Sequence, residues 1–166
     1  MELIRPCEAY LPEYRAAILE EALRPDAERI FGDPETIVEK SRRYEEGVDL
    51  KPGRVPQTTF WLVDGPRFLG EIHIRRTLTP ALLQYAGNIG YGIRASETGK
   101  GYGSAMLHLA LEYCRSMNME KVLITCDDEN TASARVIEKN GGILENKVLN
   151  CTDRGMVLTR RYWITL

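Results

Sequence analysis

A glycine-rich turn is the stretch of this sequence best suited to chemistry. Gly99, Gly101 and Gly103 stand at alternate positions, after a candidate strand and at the start of a long periodic segment. Glycine permits a tight turn that exposes backbone N–H groups, and a following helix adds unpaired N–H groups and the positive end of its dipole. Phosphate oxygens bind well to such a cradle. On spacing alone, an ordinary strand-to-helix turn explains these glycines equally well.

Two well-known phosphate-binding loops do not fit this turn. Lys100 is followed by Gly101, whereas a P-loop has Ser or Thr directly after its lysine. The dinucleotide fingerprint needs a third glycine three residues after the second, and that position holds Met106. The turn therefore predicts a phosphate site of another kind.

A second set of candidates lies on one face of a predicted strand. Glu71, His73 and Arg75 alternate with two isoleucines, so one face of the strand is apolar and the other carries ionisable groups. Glu71 and His73 are therefore candidates for proton transfer, directly or through a water. The alternative is that Glu71 is a solvated or ion-paired strand residue, with Arg75 as its partner.

A third candidate segment runs from Asn130 to Gly141, after a continuous apolar strand. Asn130 and Ser133 have the spacing of helix-capping residues, and Arg135 follows them on the same predicted helix. Taken alone, the segment is explained by a helix that Asn130 and Ser133 cap, with the Arg135 side chain in solvent.

The elements that hold these residues follow from periodicity and turn chemistry. The order is βααβββαβαββ: a strand over 2–7, helices from Pro12 to before Pro25 and from Asp33, strands over 58–63, 68–76 and 89–94, a helix over 100–117, a strand over 121–126, a helix over 131–139, and a hairpin of 142–150 with 155–165. The fold class is α/β (α+β), in a single domain over residues 1–166.

Composition narrows the class of protein further. The net charge of −2 gives no bulk attraction to nucleic acid or to an anionic membrane. No apolar run approaches the ~20 residues of a membrane span, and the N-terminus has no signal-peptide pattern. The four cysteines, Cys7, Cys114, Cys126 and Cys151, lack zinc-site spacing. We expect reduced thiols, no metal and a cytoplasmic location.

The motifs resemble those of the GCN5-related N-acetyltransferases (GNAT). Thr98–Gly103 is similar to their pyrophosphate-binding segment, Gln/Arg-x-x-Gly-x-Gly/Ala, with Thr98 in the place of the usual Gln or Arg. Asn130–Gly141 looks like their second coenzyme A segment. Its Asn-x-x-Ser-x-Arg-Val-x-Glu-Lys form is similar to the branch that includes the serine-type ribosomal-protein Nα-acetyltransferases. The element order matches the family, so the resemblance covers nearly the whole chain.

The resemblance implies a mixed, mostly antiparallel sheet with a splayed central strand pair and helices on both faces. It also implies transfer of an acetyl group from acetyl-CoA to a primary amine by direct attack. The acceptor would be a small molecule or a peptide, with neither nucleic acid nor membrane as a partner. A homodimer is possible through the C-terminal strand around Trp163. The alternative is a non-catalytic acyl-CoA-binding sensor or interaction domain of the same fold.

The resemblance also implies roles for particular residues. The implied coenzyme-binding residues are Ile93, Arg94, Thr98, Gly99, Lys100, Gly101, Tyr102, Gly103, Ser104, Asn130, Ser133 and Arg135. The implied catalytic groups are Glu71 or His73 as base, Ser133 as acid, and the Ile93 backbone N–H as oxyanion donor. Ile137 occupies the position where many relatives carry a proton-donating tyrosine, so either Ser133 replaces it or the thiolate leaves without full protonation.

Two further expectations concern the strands around this site. Gly90 and Gly92 are consistent with a β-bulge where the central strands splay. An acyl-cysteine mechanism that uses Cys126 with His73 is a weak rival, because a buried cysteine at a strand end is usually inert.

Overall fold

The computed structural model describes residues 1–23, 30–152 and 155–166. Its elements in chain order are β1 Glu2–Ile4, α1 Leu11–Ala22, α2 Ile37–Glu46, β2 Gln57–Asp64, β3 Arg67–Arg75, β4 Ile89–Ile93, α3 Tyr102–Ser116, β5 Lys121–Asp127, α4 Thr131–Lys139, β6 Ile143–Thr152 and β7 Gly155–Thr165. Short helical turns occupy Glu8–Tyr10, Leu82–Ala86 and Ala95–Glu97. The predicted order is confirmed.

Two predicted boundaries move for local reasons. The first strand ends at Ile4, just before Pro6, which has no N–H to donate to a neighbouring strand. The second helix begins at Ile37, because Asp33 and the residues after it form a capping turn first. In that turn the Asp33 side chain accepts from the Glu35 N–H at 3.0 Å.

The seven strands form one sheet in the order β1-β2-β3-β4-β5-β7-β6, and β4–β5 is the parallel pair among antiparallel ones. One face packs against α3 and α4 through a large apolar cluster. The other face packs against α1 and α2 through a smaller aromatic cluster that includes Tyr14, Trp61 and Phe68. The mixed sheet with helices on both faces confirms the predicted fold class.

The central strands β4 and β5 diverge almost at once. Their register has a single pair, Ile89 with Ile124. Asn88 holds the start of the pair together, since its N–H donates to the Leu123 carbonyl at 2.7 Å and its side-chain oxygen accepts from the Leu123 N–H at 2.8 Å. Beyond Ile89 no further pair of β4 with β5 forms among the described residues, so a cleft opens between them.

The predicted bulge in β4 is wrong. The β3–β4 register runs without a break from Gly70 opposite Ile93 to Ile74 opposite Ile89, and the irregularity lies in the β2–β3 ladder instead. Gly92 has another physical reason to be glycine, because a Cβ there would lie 1.8 Å from the Ile30 Cγ2 atom. Ile30 thus packs directly on β4.

The C-terminal strand does not offer an edge to a second copy. Strand β7 lies between β5 and β6 and is hydrogen-bonded to both, so the expectation that a partner pairs with β7 is wrong. The outer strand on that side of the sheet is β6. Within the described part of the chain, no helix has the length and apolar character needed to cross a membrane.

Candidate active site

The glycine-rich turn has the geometry of an anion cradle. Gly99 and Gly101 have φ values of 78° and 85°, in the left-handed region that favours glycine. Helix α3 follows directly, and the Ala105 N–H donates to the Gly101 carbonyl at 3.2 Å. The backbone N–H groups between Gly99 and Ala105 precede the helical ladder, so they can donate to a diphosphate. No heavy atom lies within 4 Å of a Cβ built at either glycine, which leaves space for such a ligand.

Gly103 serves a different purpose from its two neighbours. A Cβ there would lie 3.3 Å from the Val136 Cγ2 atom on α4. Glycine at this position therefore lets α3 and α4 approach each other closely. Ser104 strengthens the same contact, because its hydroxyl accepts from the Asn140 side-chain amide at 3.1 Å.

Side chains around the turn are held mainly by the protein itself. The Thr98 hydroxyl donates to the Ala95 carbonyl at 2.9 Å, and Lys100 pairs with Glu97 at 3.0 Å. The Arg94 guanidinium lies between Glu13 and Glu20 of α1, at 2.7 and 2.8 Å. Among the predicted coenzyme-binding residues, Arg94 thus directs its side chain to α1. Its backbone is also bonded within the protein, because its carbonyl accepts from the Glu97 N–H at 2.9 Å.

The Ile93 N–H points into the cleft between β4 and β5. In the antiparallel β3–β4 ladder the Arg94 N–H donates to the Leu69 carbonyl, and the Arg75 N–H donates to the Asn88 carbonyl. Alternate residues of β4 between these two bonds face β3, so Tyr91 and Ile93 direct their N–H groups to the opposite side. That side is the open cleft. The Ile93 N–H therefore faces the cleft and not β3.

Two hydroxyl groups meet at the start of α4. Asn130 caps the helix, because its side chain accepts from the Ser133 N–H at 3.0 Å. The Ser133 Oγ atom lies 2.9 Å from the Tyr91 hydroxyl. Burial raises the pKa of Tyr91 to about 12, so the phenol remains protonated near neutral pH. Ile137 is fully buried in the core, and Arg135 is exposed on the outer side of the helix.

A cavity of about 760 Å³, named here the β3 cavity, lies over the polar face of β3. Its walls come from residues 30–33, helix α2, the loop before β2, and β4. Glu71 and His73 both line it and form one hydrogen-bonded unit, with His73 Nε2 at 3.1 Å from Glu71 Oε1. The predicted alternation of ionisable and apolar residues is confirmed. The alternative pairing of Glu71 with Arg75 is not seen, because His73 occupies that role.

Buried neighbours fix the orientation of this pair. The Trp61 indole N–H donates to the second Glu71 oxygen at 2.7 Å, and the Thr59 hydroxyl lies 3.0 Å from His73 Nδ1. Burial, and the charge of the adjacent Glu71, raise the pKa of the Tyr14 phenol well above its usual range. Glu71 is only 2% exposed and His73 is 24% exposed. The imidazole is thus the part of the pair that a ligand in the cavity meets.

A second cavity of about 380 Å³, the β5 cavity, lies on the other side of the cleft. It is lined by Ser133, Asn130 and Cys126, and it shares Arg75, Gly90 and Tyr91 with the β3 cavity. The two cavities therefore meet where β4 and β5 diverge.

The acyl-cysteine alternative does not fit the geometry. Cys126 packs in the cluster on the α3–α4 face, whereas Glu71 and His73 lie on the opposite face with Trp61. Burial also raises the pKa of the Cys126 thiol, which disfavours its nucleophilic form. No group of three or more metal-ligating side chains occurs in the regions of the chain that the structure describes.

Comparison with known proteins agrees with this geometry. A family profile described as an acetyltransferase (GNAT) domain matches residues 3–143. No curated protein sequence matches the chain.

Several solved structures share the fold at low sequence identity. RimJ of Mycobacterium smegmatis, in complex with a CoA-disulfide, is 20% identical over 98% of this chain and 80% of its own, with a TM-score of 0.75. The Salmonella typhimurium acetyl transferase that modifies the N-terminal serine of 50S ribosomal subunit protein L7/L12 is 18% identical over 99% and 94%, with a TM-score of 0.72. A mutant of the Vibrio cholerae spermidine N-acetyltransferase SpeG is 13% identical over 99% and 95%, with a TM-score of 0.67.

Sequence reasoning missed four residues that the structure brings to the site. Tyr91, Asn88 and Thr59 act through contacts with residues distant in sequence, at Ser133, Leu123 and His73. Arg75 was seen only as a possible partner for Glu71, although it lies where the two cavities meet. The one available signal was strand alternation, which places Arg75 on the same face as His73.

Proposed function

We propose, from the premise that this chain belongs to the GNAT acetyltransferase family, that residues 1–166 form one domain that acetylates a primary amine in the β3 cavity. Acetyl-CoA is the cosubstrate of this acetyltransferase. The observation that carries the assignment of the site is the Glu71–His73 pair, which faces the cavity beside the cleft between β4 and β5.

The residues present suit coenzyme A. The backbone N–H groups around Gly99, Lys100, Gly101 and Tyr102 would bind the diphosphate, aided by the positive end of the α3 dipole. Beyond Ile89, the N–H groups of β4 that face the cleft are available to an extended pantetheine arm. The acetyl thioester would then lie where the β3 and β5 cavities meet.

The reaction needs a base first, since the pKa of an ammonium is about 7.7–8.0 at a chain N-terminus and about 10.4 on a lysine side chain. His73 accepts the proton of the ammonium, and Glu71 stabilises the imidazolium that forms. The neutral amine then attacks the thioester carbonyl, and the Ile93 N–H stabilises the developing oxyanion. One such donor is typically worth about 3 kcal/mol of barrier. The attacking nitrogen loses its second proton to solvent, and the intermediate collapses to the amide as the C–S bond breaks. The thiolate of coenzyme A takes a proton from Ser133, which regains one from Tyr91, and Tyr91 regains one from solvent.

The serine at position 133 also supports a place in the branch that acetylates ribosomal-protein N-termini. Ser133 lies in the β5 cavity with its hydroxyl paired to Tyr91, as a proton donor to the thiolate requires. Two neighbours of the fold are a RimJ protein and an enzyme that modifies an N-terminal serine. We infer that the acceptor is a protein or peptide N-terminus in preference to an internal lysine.

Glu71→Gln tests the base assignment. With acetyl-CoA and a panel of amines, we expect kcat to fall about 10²–10⁴-fold, the usual contribution of a general base, with little change in the affinity for coenzyme A. His73→Gln should lose activity similarly. The matched control is Glu39→Gln, which removes an exposed carboxylate paired with Arg42 on α2. Equal activity of Glu71→Gln and wild type across pH 6–9 would contradict the assignment.

A further inference from the structure

We propose that the acceptor carries a carboxylate close to its reacting amine, and that Arg75 and Arg54 bind this carboxylate. The inference rests on the proposed function of the β3 cavity and adds the chemical class of its substrate. It rests on an imbalance of charge in that cavity. The cationic side chains that line it lack acidic partners, whereas the arginines on the outer face of α2 have them.

The acidic residues of α2 and of the loop that follows are already neutralised by other arginines. Glu39 and Glu46 pair with Arg42 along the outer face of the helix. Asp49 pairs with Arg43, and Glu45 pairs with Arg5 beyond the cavity. None of these carboxylates lines the β3 cavity.

The remaining acid of the cavity wall, apart from Glu71, is Asp33. Its two oxygens accept from the Glu35 N–H at 3.0 Å and from the Thr36 hydroxyl at 3.2 Å. Asp33 thus caps the turn before α2. Among the residues that the structure describes, the cavity has no acidic lining residue besides Glu71 and this capping Asp33.

The cations in the same cavity are in the opposite situation. Arg75, Arg54 and Lys40 all line it, and none of them forms an ion pair within residues 1–23, 30–152 and 155–166. Among the described residues, the guanidinium of Arg75 makes only a long hydrogen bond, 3.4 Å, to the Gly87 carbonyl. Burial and the nearby charge of Arg54 lower the pKa of the Arg75 guanidinium, as expected for a cation without an anion. A carboxylate beside Arg75 and Arg54 would remove this cost and could bind in a bidentate manner.

The position of Arg75 sets the distance between the two groups of the acceptor. Arg75 follows His73 by two residues on the same face of β3, so their Cα atoms are about 7 Å apart. A Cβ built at Gly90 would lie 3.9 Å from Arg75 Nη1, which places the guanidinium beside the strand that borders the cleft. An α-amino acid fits this spacing, as does a peptide with Asp or Glu among its first residues. A polyamine has no carboxylate and would bring a second ammonium towards Arg75.

A panel of matched amines tests the inference. The acceptors are the peptides Ser-Asp-Ala-Ala-amide and Ser-Asn-Ala-Ala-amide, free glutamate, glutamine amide and spermidine, each assayed by release of free coenzyme A. We expect kcat/KM for the carboxylate-bearing member of each matched pair to exceed that of the neutral member at least tenfold. The peptide and amino-acid pairs show which source of the carboxylate is preferred. Spermidine should be the poorest acceptor.

Arg75→Gln should reduce the preference to about one by raising KM for the acidic acceptor, while KM for acetyl-CoA stays unchanged. Arg54→Gln, in an exposed loop, should reduce it in part without affecting folding, and Arg42→Gln is the surface control. The inference would be overturned if the wild type had equal kcat/KM values for the two members of each matched pair, or if Arg75→Gln changed only KM for acetyl-CoA. Either result would leave the acetyltransferase assignment intact. Absence of turnover with every amine would overturn the proposed function itself.

Discussion

At the scale of single residues, the unusual feature is the contact between Tyr91 and Ser133. The hydroxyls are 2.9 Å apart and line the β5 cavity, although the residues come from a strand and a helix on opposite sides of the cleft. Ile137 provides no hydroxyl, and we therefore propose this pair as the proton source for the thiolate. Because the pKa of Tyr91 is raised to about 12, the pair holds its protons at neutral pH.

Tyr91→Phe tests the coupling of the two hydroxyls. We expect kcat to fall about 10-fold to 100-fold, at or below the lower end of the effect of a general acid, because a thiolate leaves without full protonation. Ser133→Ala should cost a similar factor. If the hydroxyls act as one relay, the double variant should cost no more than the larger single effect. Strictly multiplicative losses would argue against a relay, and Tyr10→Phe, which removes a hydroxyl bonded to Gly65, is the control.

At the scale of elements, the cleft depends on how β4 begins. Asn88 is 3% exposed, and its side chain replaces a strand neighbour by accepting from the Leu123 N–H and donating to the Arg75 carbonyl at 2.9 Å. Gly87 is required beside it, because a Cβ there would lie 2.4 Å from the Leu123 carbonyl oxygen. Within the described residues, the two strands are thus joined at the start of β4 and form no further pair with each other beyond Ile89.

Replacing this junction should loosen the cleft. Asn88→Ala leaves a buried N–H and a buried carbonyl without partners, so we expect the free energy of unfolding to fall by about 1–3 kcal/mol. We also expect KM for acetyl-CoA to rise more than KM for the amine, because the cleft holds the pantetheine arm. Chemical denaturation and steady-state kinetics measure the two effects. Asn146→Ala, which removes an exposed side chain on β6, is the control. Unchanged stability of Asn88→Ala would show that Asn88 is not the clamp.

At the scale of the whole molecule, Arg94 links the helix layer over the β3 cavity to the strand that leads into the glycine turn. Its partner Glu20 also accepts from the Ser96 N–H at 3.1 Å. Burial of Glu20 opposes its ionisation, but the hydrogen bonds from Arg94 and Ser96 outweigh burial and lower the pKa of Glu20. The stability that comes from a lowered carboxylate pKa is fully present above the unfolded pKa, about 4.3 for Glu, and is lost as pH falls through the folded value.

Glu20→Gln should therefore lower the melting temperature at pH 7 by about 2–4 °C, as for a loss of about 1 kcal/mol in a chain of this size. The difference from the wild type should shrink as pH falls from 5 towards 3, because wild-type Glu20 is then protonated as well. Thermal melts at several pH values measure this. Glu8→Gln, which removes an exposed carboxylate, should follow the wild type throughout. If the melting temperature of Glu20→Gln differed from that of the wild type by the same amount at every pH, the lowered pKa of Glu20 would be contradicted.

The sequence by itself determined the order of the elements, the glycine turn, and the alternation that sets Glu71 and His73 against the apolar face of β3. These features depend on the chain's local period and on φ values that glycine permits, so nearby residues are enough to specify them. Tertiary structure alone decided which groups meet across the cleft. Tyr91 and Ser133 are 42 positions apart, Asn88 and Leu123 are 35 apart, and Arg94 and Glu20 are 74 apart. Such pairs form only when the sheet order and the divergence of β4 from β5 are in place, because no local period relates residues at those separations.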